Sequence, residues 1–235
     1  TNVESRAVRD AALTSGAREV YILEEPMAGA IGAKLPVNEA LGTMVLDIGA
    51  GTTDIAVIAL GGTVAGKSSQ VAGDRLNDNI IDFVRSEFSL AIGERTAEDT
   101  KIAIGAVLPL TEEMTYPIRG RDLATGLPRE VILTDSHVRE ALSQSMDSLM
   151  EAMKDVIERT PPELLSDVLE RGVTVFGGGA LLRGLPELLS KMLGVPVFVA
   201  DDPLTAVVRG TGIVTENPKA WSETFMHEDA ILSQA

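Results

Sequence analysis

The 235-residue chain contains no cysteine, which excludes disulfides and thiolate metal sites. Aromatic residues are scarce: five Phe, two Tyr and one Trp offer no platform on which nucleic-acid bases would stack. Positive charge is also in short supply. Against 20 Lys and Arg stand 35 Asp and Glu, a formal net charge of −15, and no basic run interrupts the acidic background. Such a surface repels phosphate backbones, so nucleic acid is not expected as a partner. No apolar run reaches the ~18 residues that a bilayer span needs, and there is no low-complexity tract or tandem repeat. With 45% hydrophobic residues, a soluble globular chain with a real core is expected.

What the chain does have is two glycine-rich segments, each following an apolar strand-like run. The first is Met44-Val45-Leu46-Asp47-Ile48-Gly49-Ala50-Gly51-Thr52-Thr53-Asp54. A strand at Thr43–Asp47, a turn at Ile48–Thr53 and a strand at Asp54–Leu60 predict a hairpin, closed by Gly61-Gly62, with Thr63–Ser68 a third strand. A buried strand ending in Asp47 places a carboxylate at the mouth of a cleft. Gly49 and Gly51 let the following backbone approach a phosphate, with Thr52 and Thr53 as candidate hydroxyl donors. Asp47 would be repelled by phosphate itself, and is expected to hold a Mg²⁺ ion or its waters. The plain alternative is a hairpin with a glycine turn.

The second segment is Val173-Thr174-Val175-Phe176-Gly177-Gly178-Gly179-Ala180-Leu181-Leu182. Three glycines in a row are entropically costly and mark close approach, either to the flat base or ribose of a nucleotide or to packed backbone. Taken alone, the two readings of this run balance; the pair of segments in one chain favours a nucleotide cleft.

The remaining pattern supports an α/β fold. A helix is under way from Glu4 to Leu13, Val20–Leu23 reads as a short buried strand, and Pro26 opens a small-residue helix over Met27–Ala33. Helical stripes run from Asp74 to Glu87 and from Thr96 to Gly105. Strands are expected at Thr111–Ile118 and Arg129–Leu133, and Thr134 or Asp135 caps a long helix ended by Pro161-Pro162. Helix Glu163–Arg171, strand Val173–Phe176, helix Leu185–Leu193, strand Val195–Val199 and helix Pro203–Gly212 then alternate, with Gly172, Gly194 and Gly212 as stops. Methionines 146 and 153 fall on a helical stripe and are read as core. His137 and His227 have no partners at ligand spacing and receive no role.

On these residues the chain resembles the actin, chaperone-ATPase and sugar-kinase superfamily, and within it the MreB-like rod-shape-determining family. Ile22–Gly32 resembles the first interdomain connector, Asp47–Asp54 the second phosphate loop, and Ile92–Ile102 the stretch framing the nucleoside. Gly177–Leu182 is similar to the adenosine motif and Asp202–Gly212 to the second connector. The Glu24-Glu25-Pro26-Met27 and Gly93-Glu94-Arg95-Thr96-Ala97-Glu98 segments are particular to that family.

The resemblance implies an actin-like, ribonuclease H-like fold whose second lobe is complete and carries an inserted small α+β subdomain. Residues 43–72 and 148–214 would form its large subdomain and 73–147 the small one. Residues 1–42 would be a remnant of the first lobe with the connector, and 215–235 would return to that lobe as a helix beyond Trp221. The first phosphate loop has no counterpart here, so an N-terminally truncated chain that binds nucleotide poorly is expected. The cofactors implied are ATP and Mg²⁺. Glu25 would activate the attacking water, with a helix N-terminal acid as its bland alternative. Asp47, Gly49, Ala50, Gly51, Thr52, Thr53, Gly177, Gly178, Gly179 and Ala180 would surround the nucleotide, Glu98 would accept from the ribose and the Lys101 stem would lie along the base. Ala50 replaces a glycine common in the family, which is tolerable if no positive φ is required there.

Function follows from the same resemblance: a slow ATPase that forms filaments in the cytoplasm at the inner face of the membrane. Its partners would be further copies of itself, membrane-anchored elongation proteins and the membrane surface, and its output the organisation of wall synthesis that keeps a cell rod-shaped. The alternatives are a chaperone-type ATPase, a small-molecule kinase, or an inactive interaction fragment. Only a short acidic tail follows Gly212, which disfavours the first, and no sugar-pocket insertion is visible for the second.

Overall fold

The structure, a computed structural model, describes residues 2–226. In chain order its first elements are α1 (Asn2–Thr14), α2 (Glu25–Gly32), β1 (Thr43–Ile48), β2 (Thr53–Ala59), β3 (Gly62–Ser69), α3 (Gly73–Phe88), β4 (Leu90–Ala91) and α4 (Glu94–Ile104). There follow β5 (Thr115–Asp122), β6 (Pro128–Thr134), α5 (Asp135–Arg159), α6 (Pro162–Arg171), β7 (Val173–Phe176), α7 (Leu185–Leu193), β8 (Val197–Val199) and α8 (Ala206–Glu216). Short 3-10 turns occupy Gly178–Leu181, Pro203–Thr205 and Pro218–Thr224.

β1 is apolar on both faces because it lies at the centre of a five-stranded sheet, order β3-β2-β1-β7-β8. It pairs antiparallel with β2 and parallel with β7, whose start aligns Val173 with Met44. Alternation along the strands divides the core in two. Leu46, Ile55, Val57 and Val175 face a larger cluster built with α3, α5 and α7 through residues such as Leu76, Ile80, Met153 and Leu189. Val45, Ala56, Ile58 and Phe176 face a smaller one built with α2 and α8 through Met27, Ile31, Ala206 and Val214, against which Trp221 is partly buried.

α2 and α8 cross with their backbones nearly touching. A Cβ at Gly32 would lie 1.8 Å from Ala206 O, and one at Gly210 1.8 Å from Ala28 O. Only glycine permits that approach. Gly29 rests on the ring of Phe176, which would be 2.0 Å from an added Cβ.

The second sheet is the antiparallel β4-β5-β6, whose inner residues Leu90, Ile118 and Leu133 join the larger cluster. α5, 25 residues long, runs unbroken from the end of β6 onto the five-stranded sheet, so the two sheets share a helix. Its start is capped reciprocally: His137 N–H donates to Thr134 Oγ1 (3.3 Å) while Thr134 N–H donates to His137 Nδ1 (3.1 Å). His137 therefore has a structural role that sequence reasoning left blank, and its ring packs edge-on to Phe88.

Several expectations are corrected. Val20–Leu23 forms no strand; Leu23 makes one antiparallel bridge to Phe225 and Tyr21 is exposed, because no second strand lies alongside among the described residues. Gly212 does not end its helix. α8 continues to Glu216, since Gly212 faces open space and a helical glycine costs little enough to be carried. β5 begins at Thr115 rather than Thr111 and runs on to Asp122. The glycine run opens onto a 3-10 turn, with the α-helix starting only at Leu185. Beyond Trp221 the 3-10 turn ends at Thr224 and Phe225 stacks on Tyr21 at 4.6 Å; the rest of the expected C-terminal helix, with His227, lies outside the described residues.

Candidate functional site

Asp47 and Ile48 are the last residues of the central strand β1, and the chain reverses through residues 49–52 before returning as β2. The turn is closed by Gly49 N–H donating to Thr52 O at 2.9 Å, while the N–H groups of Ala50, Gly51 and Thr52 make no backbone bond within the described residues. Those are the donors the turn offers. Ala50 has no positive φ, which is why alanine is accepted there. α3 abuts the same turn: Gly73 N–H donates to Gly49 O (3.0 Å) and Asp74 N–H to Ala50 O (2.8 Å).

Thr53 departs from its expected use. It is fully buried at the start of β2 and its hydroxyl donates to Val71 O at 2.7 Å, so it fastens the strand instead of offering a proton to a ligand. Thr52 is exposed, with no side-chain hydrogen bond among the described residues.

The parallel pairing of β1 with β7 brings the second glycine segment beside the first. Gly177, at φ 82°, lies on the end of β1, where an added Cβ would come within 2.4 Å of Ile48 O; one at Gly179 would lie 2.2 Å from Ile48 Cγ2. Packing thus accounts for the first and third glycines. Gly178 and Gly179 also open on a cavity of about 470 Å³, shared with Gly49, Ala50, Glu98 and Lys101. Ala180 is buried behind them. Its apolar lining comes from Leu76, Ile102, Leu181 and Leu204. The volume lies in the range of small-molecule sites, which combine apolar walls with a few placed polar groups. A more open hollow of about 800 Å³ between Tyr21, Val214 and Phe225 has neither glycine turn.

The polar edge of the cavity is built from α3 and α4. Lys101 Nζ donates to Glu98 Oε2 (2.7 Å) and to Gly73 O (2.9 Å), and Asn77 Nδ2 donates to the same Glu98 oxygen at 2.7 Å. Burial opposes ionisation of Glu98, but these hydrogen bonds outweigh it and hold the carboxyl below its usual range. Both donors take Oε2, and Oε1 has no hydrogen bond among the described residues.

Asp47 is buried at 4% exposure, and its Oδ2 has no hydrogen-bond partner among the described residues. Burial first, then the carboxylates of Glu25 and Asp54, push it up to about 7. Glu25 is exposed in the first turn of α2. Its neighbour Glu24 accepts from Thr63 Oγ1 (2.5 Å), whereas Glu25 makes no side-chain hydrogen bond among the described residues. Among the described residues no group of three or more His, Cys, Asp or Glu side chains is arranged to hold a metal by itself. An orphaned carboxylate oxygen on the strand that leads into a turn with unspent N–H groups does fit a hard cation that arrives with phosphate.

Sequence reasoning missed Gly73, Asn77 and Leu204. Gly73 carries a weak signal, a glycine between a strand and a helix; the other two acquire their places only through the fold.

Comparison with known proteins agrees with this geometry. A family described as MreB/Mbl protein matches residues 1–223. The cell shape-determining protein MreB of Escherichia coli is 50% identical over 234 residues, covering 100% of this chain and 66% of the relative. The cell shape-determining protein Mbl of Bacillus subtilis is 47% identical, covering 92% of this chain and 65% of the relative. This chain thus spans just under two thirds of the length of these relatives. Among solved structures, MreB5 of Spiroplasma citri bound to ADP superposes with a TM-score of 0.91 at 36% identity, over 95% of this chain and 68% of that one. The same protein bound to AMPPNP also scores 0.91. More distantly, the MamK double helical filament matches at a TM-score of 0.69 and 25% identity, over 83% of this chain and 59% of MamK. The fold is actin-like, and the chain belongs to the MreB/Mbl family.

Proposed function

We propose that this chain provides the nucleotide-gripping part of an ATP-binding, filament-forming actin-like protein that sets rod cell shape. The observation that carries this reading is the single cavity joining the turn after Asp47, the Gly178-Gly179 backbone and the Glu98–Lys101 pair, which are far apart in sequence. In this reading residues 43–72 and 148–214 act as the large subdomain of the second lobe and 73–147 as the small one. Residues 1–42 and 215–235 belong with the first lobe.

The N–H groups of Ala50, Gly51 and Thr52, with the Thr52 hydroxyl, donate to phosphate oxygens. Glu98 accepts from ribose hydroxyls through Oε1 while Lys101 and Asn77 hold it ionised and oriented. Asp47 Oδ2 takes a Mg²⁺ ion directly or through its waters, and that ion supplies neutralisation of phosphate charge. Glu25 accepts a hydrogen bond from a water and aims it at the terminal phosphorus, the positioning that phosphoryl hydrolysis depends on. Turnover by the whole protein is slow and tunes filament lifetime. Filaments lie along the inner face of the cytoplasmic membrane, where membrane-anchored elongation proteins connect them to wall synthesis. The nucleotides bound to MreB5 and the filament formed by MamK support this reading.

The test is fluorescence titration of the chain with N-methylanthraniloyl-ATP, with and without Mg²⁺. Saturable binding is expected, weakened in Glu98→Ala and made indifferent to Mg²⁺ in Asp47→Ala. Sedimentation of the whole protein with Mg-ATP should give filaments that persist longer in Glu25→Ala. Binding by the chain alone is expected to be weak; no saturable binding by the whole protein at any Mg²⁺ concentration sinks the nucleotide reading.

A further inference from the structure

Arg209, in the first turn of α8, joins two parts of the molecule that the sequence keeps far apart. Through Nη2 it donates to Asp201 O (2.6 Å) and Gly32 O (3.3 Å). Through Nη1 it donates to Asp202 O (3.3 Å) and Thr205 Oγ1 (2.9 Å), with Asp202 Oδ2 at 3.2 Å. One guanidinium thus holds the loop 201–205 on one side and the last carbonyl of α2 on the other.

Each side leads to the cavity. Asp202 is one of the few non-glycine residues at positive φ, 47°, a conformation that costs energy and persists only where surroundings impose it. The next residue, Pro203, accepts at its carbonyl from Gly177 N–H (2.9 Å), and Leu204 forms part of the cavity wall while remaining 65% exposed. On the other side, Gly32 ends the helix whose first turn carries Glu25. That helix has no slack. Its backbone is pressed on α8 at Gly32 and Ala28, and Gly29 rests on Phe176, the residue preceding the glycine run.

We propose that Arg209 is a positioning residue of the nucleotide site: it fixes the Leu204 loop against the cavity and ties it to α2, so that filling the nucleoside side of the cavity immobilises the helix that bears Glu25. The inference rests on the nucleotide reading above. Arginine suits the task because its planar fork presents several fixed donors at once, and a lysine ammonium cannot reach carbonyls on both sides in that geometry. A purely structural cap on α2 would be a different thing, since it would stabilise the helix equally with and without ligand.

The experiment is hydrogen–deuterium exchange of the full 235-residue chain, with the ligand-bound state verified by N-methylanthraniloyl-ATP titration. It compares wild type, Arg209→Lys and Thr205→Val, each unliganded, with ATP and with adenosine alone. In wild type, both ligands are expected to slow exchange at Gly178–Leu182 and also at Ala28–Leu35. In Arg209→Lys, protection at Gly178–Leu182 should remain while the ligand-induced part at Ala28–Leu35 is lost, with binding weakened about 5–10-fold. Thr205→Val keeps the charge and removes one partner, so it should show a smaller loss of the same kind even if the lysine variant folds poorly. Ligand-induced protection at Ala28–Leu35 that survives in both variants overturns the proposal, as does a wild-type response confined to Gly178–Leu182. An equal loss of α2 protection without ligand marks a structural cap and also overturns it. Where the chain alone binds too weakly to saturate, the same exchange comparison is made in the whole protein; if that also binds no nucleotide, the functional reading itself falls and this inference with it.

Discussion

Gly177 lies directly on Asp47: a Cβ at position 177 would stand 2.5 Å from Asp47 Oδ1. The start of the glycine run and the carboxylate at the end of β1 therefore occupy one another's space, and the backbone of one fixes the rotamer of the other. Gly177 also has φ 82°. Gly177→Ala should destabilise the chain by about 1–3 kcal/mol, from backbone strain and displacement of Asp47 together, with a lowered urea midpoint as the readout. Gly178→Ala, which would meet only Leu204 Cδ2 at 3.6 Å, should be far milder in stability.

The raised pKa of Asp47 makes a signed prediction. Its folded-state value, about 7, lies above the ordinary 3.8, so the native state binds this proton more tightly than the unfolded state does. The associated stability is fully present below pH 3.8 and is lost as pH rises through about 7. Asp47→Asn removes that dependence. In urea titrations of the unliganded chain between pH 5 and pH 8, the variant should gain on wild type with rising pH, by on the order of a few kcal/mol. Parallel curves would show that Asp47 is solvated well enough to ionise normally.

Two glycines in and beside the helix crossing should behave oppositely. Gly32→Ala forces a methyl group into the carbonyl of Ala206, backbone against backbone, and should cost about 3 kcal/mol or more. Gly212→Ala, in the same crossing's α8 but facing open space, should stabilise by about 0.5–1 kcal/mol through helix propensity. Thermal midpoints of the two variants check both signs at once.

Leu60 turns the β2–β3 hairpin at φ 52° while 66% exposed, which suits neither its branched side chain nor its apolarity. Its N–H donates to Glu39 O (2.9 Å), a bond that a replacement keeps. Leu60→Asn should stabilise by about 0.5–1 kcal/mol, because asparagine enters the left-handed region more easily. A chemical-denaturation midpoint equal to or below wild type would count against that account.

Much of the site was legible because its two turns are written locally. Asp47 through Thr52 and Gly177 through Gly179 each show an apolar strand run into glycine, and strand pairing alone brings them together. What the residues could not separate was ligand approach from packing, and the structure shares the glycines between the two: Gly177 presses on Ile48, Gly179 both presses on Ile48 and lines the cavity, and Gly178 lines the cavity free of such contact. Asn77 was invisible because its contact with Glu98 depends on how α3 lies against α4, which no local pattern records. Val20–Leu23 misled for a related reason. An apolar run says that a segment wants burial, whereas becoming a strand also needs a neighbour to pair with. Gly212 misled because a glycine stop and a tolerated helical glycine look alike until the helix's surroundings are known.

The one Trp in the chain, Trp221, packs on the smaller cluster formed by α2 and α8 and makes no part of the larger core. Its emission is therefore a private probe of that cluster. Fluorescence follows the loosening of the α2–α8 layer alone, while far-ultraviolet dichroism follows the whole chain, so any mismatch between the two melting curves would reveal that the layers come apart in sequence.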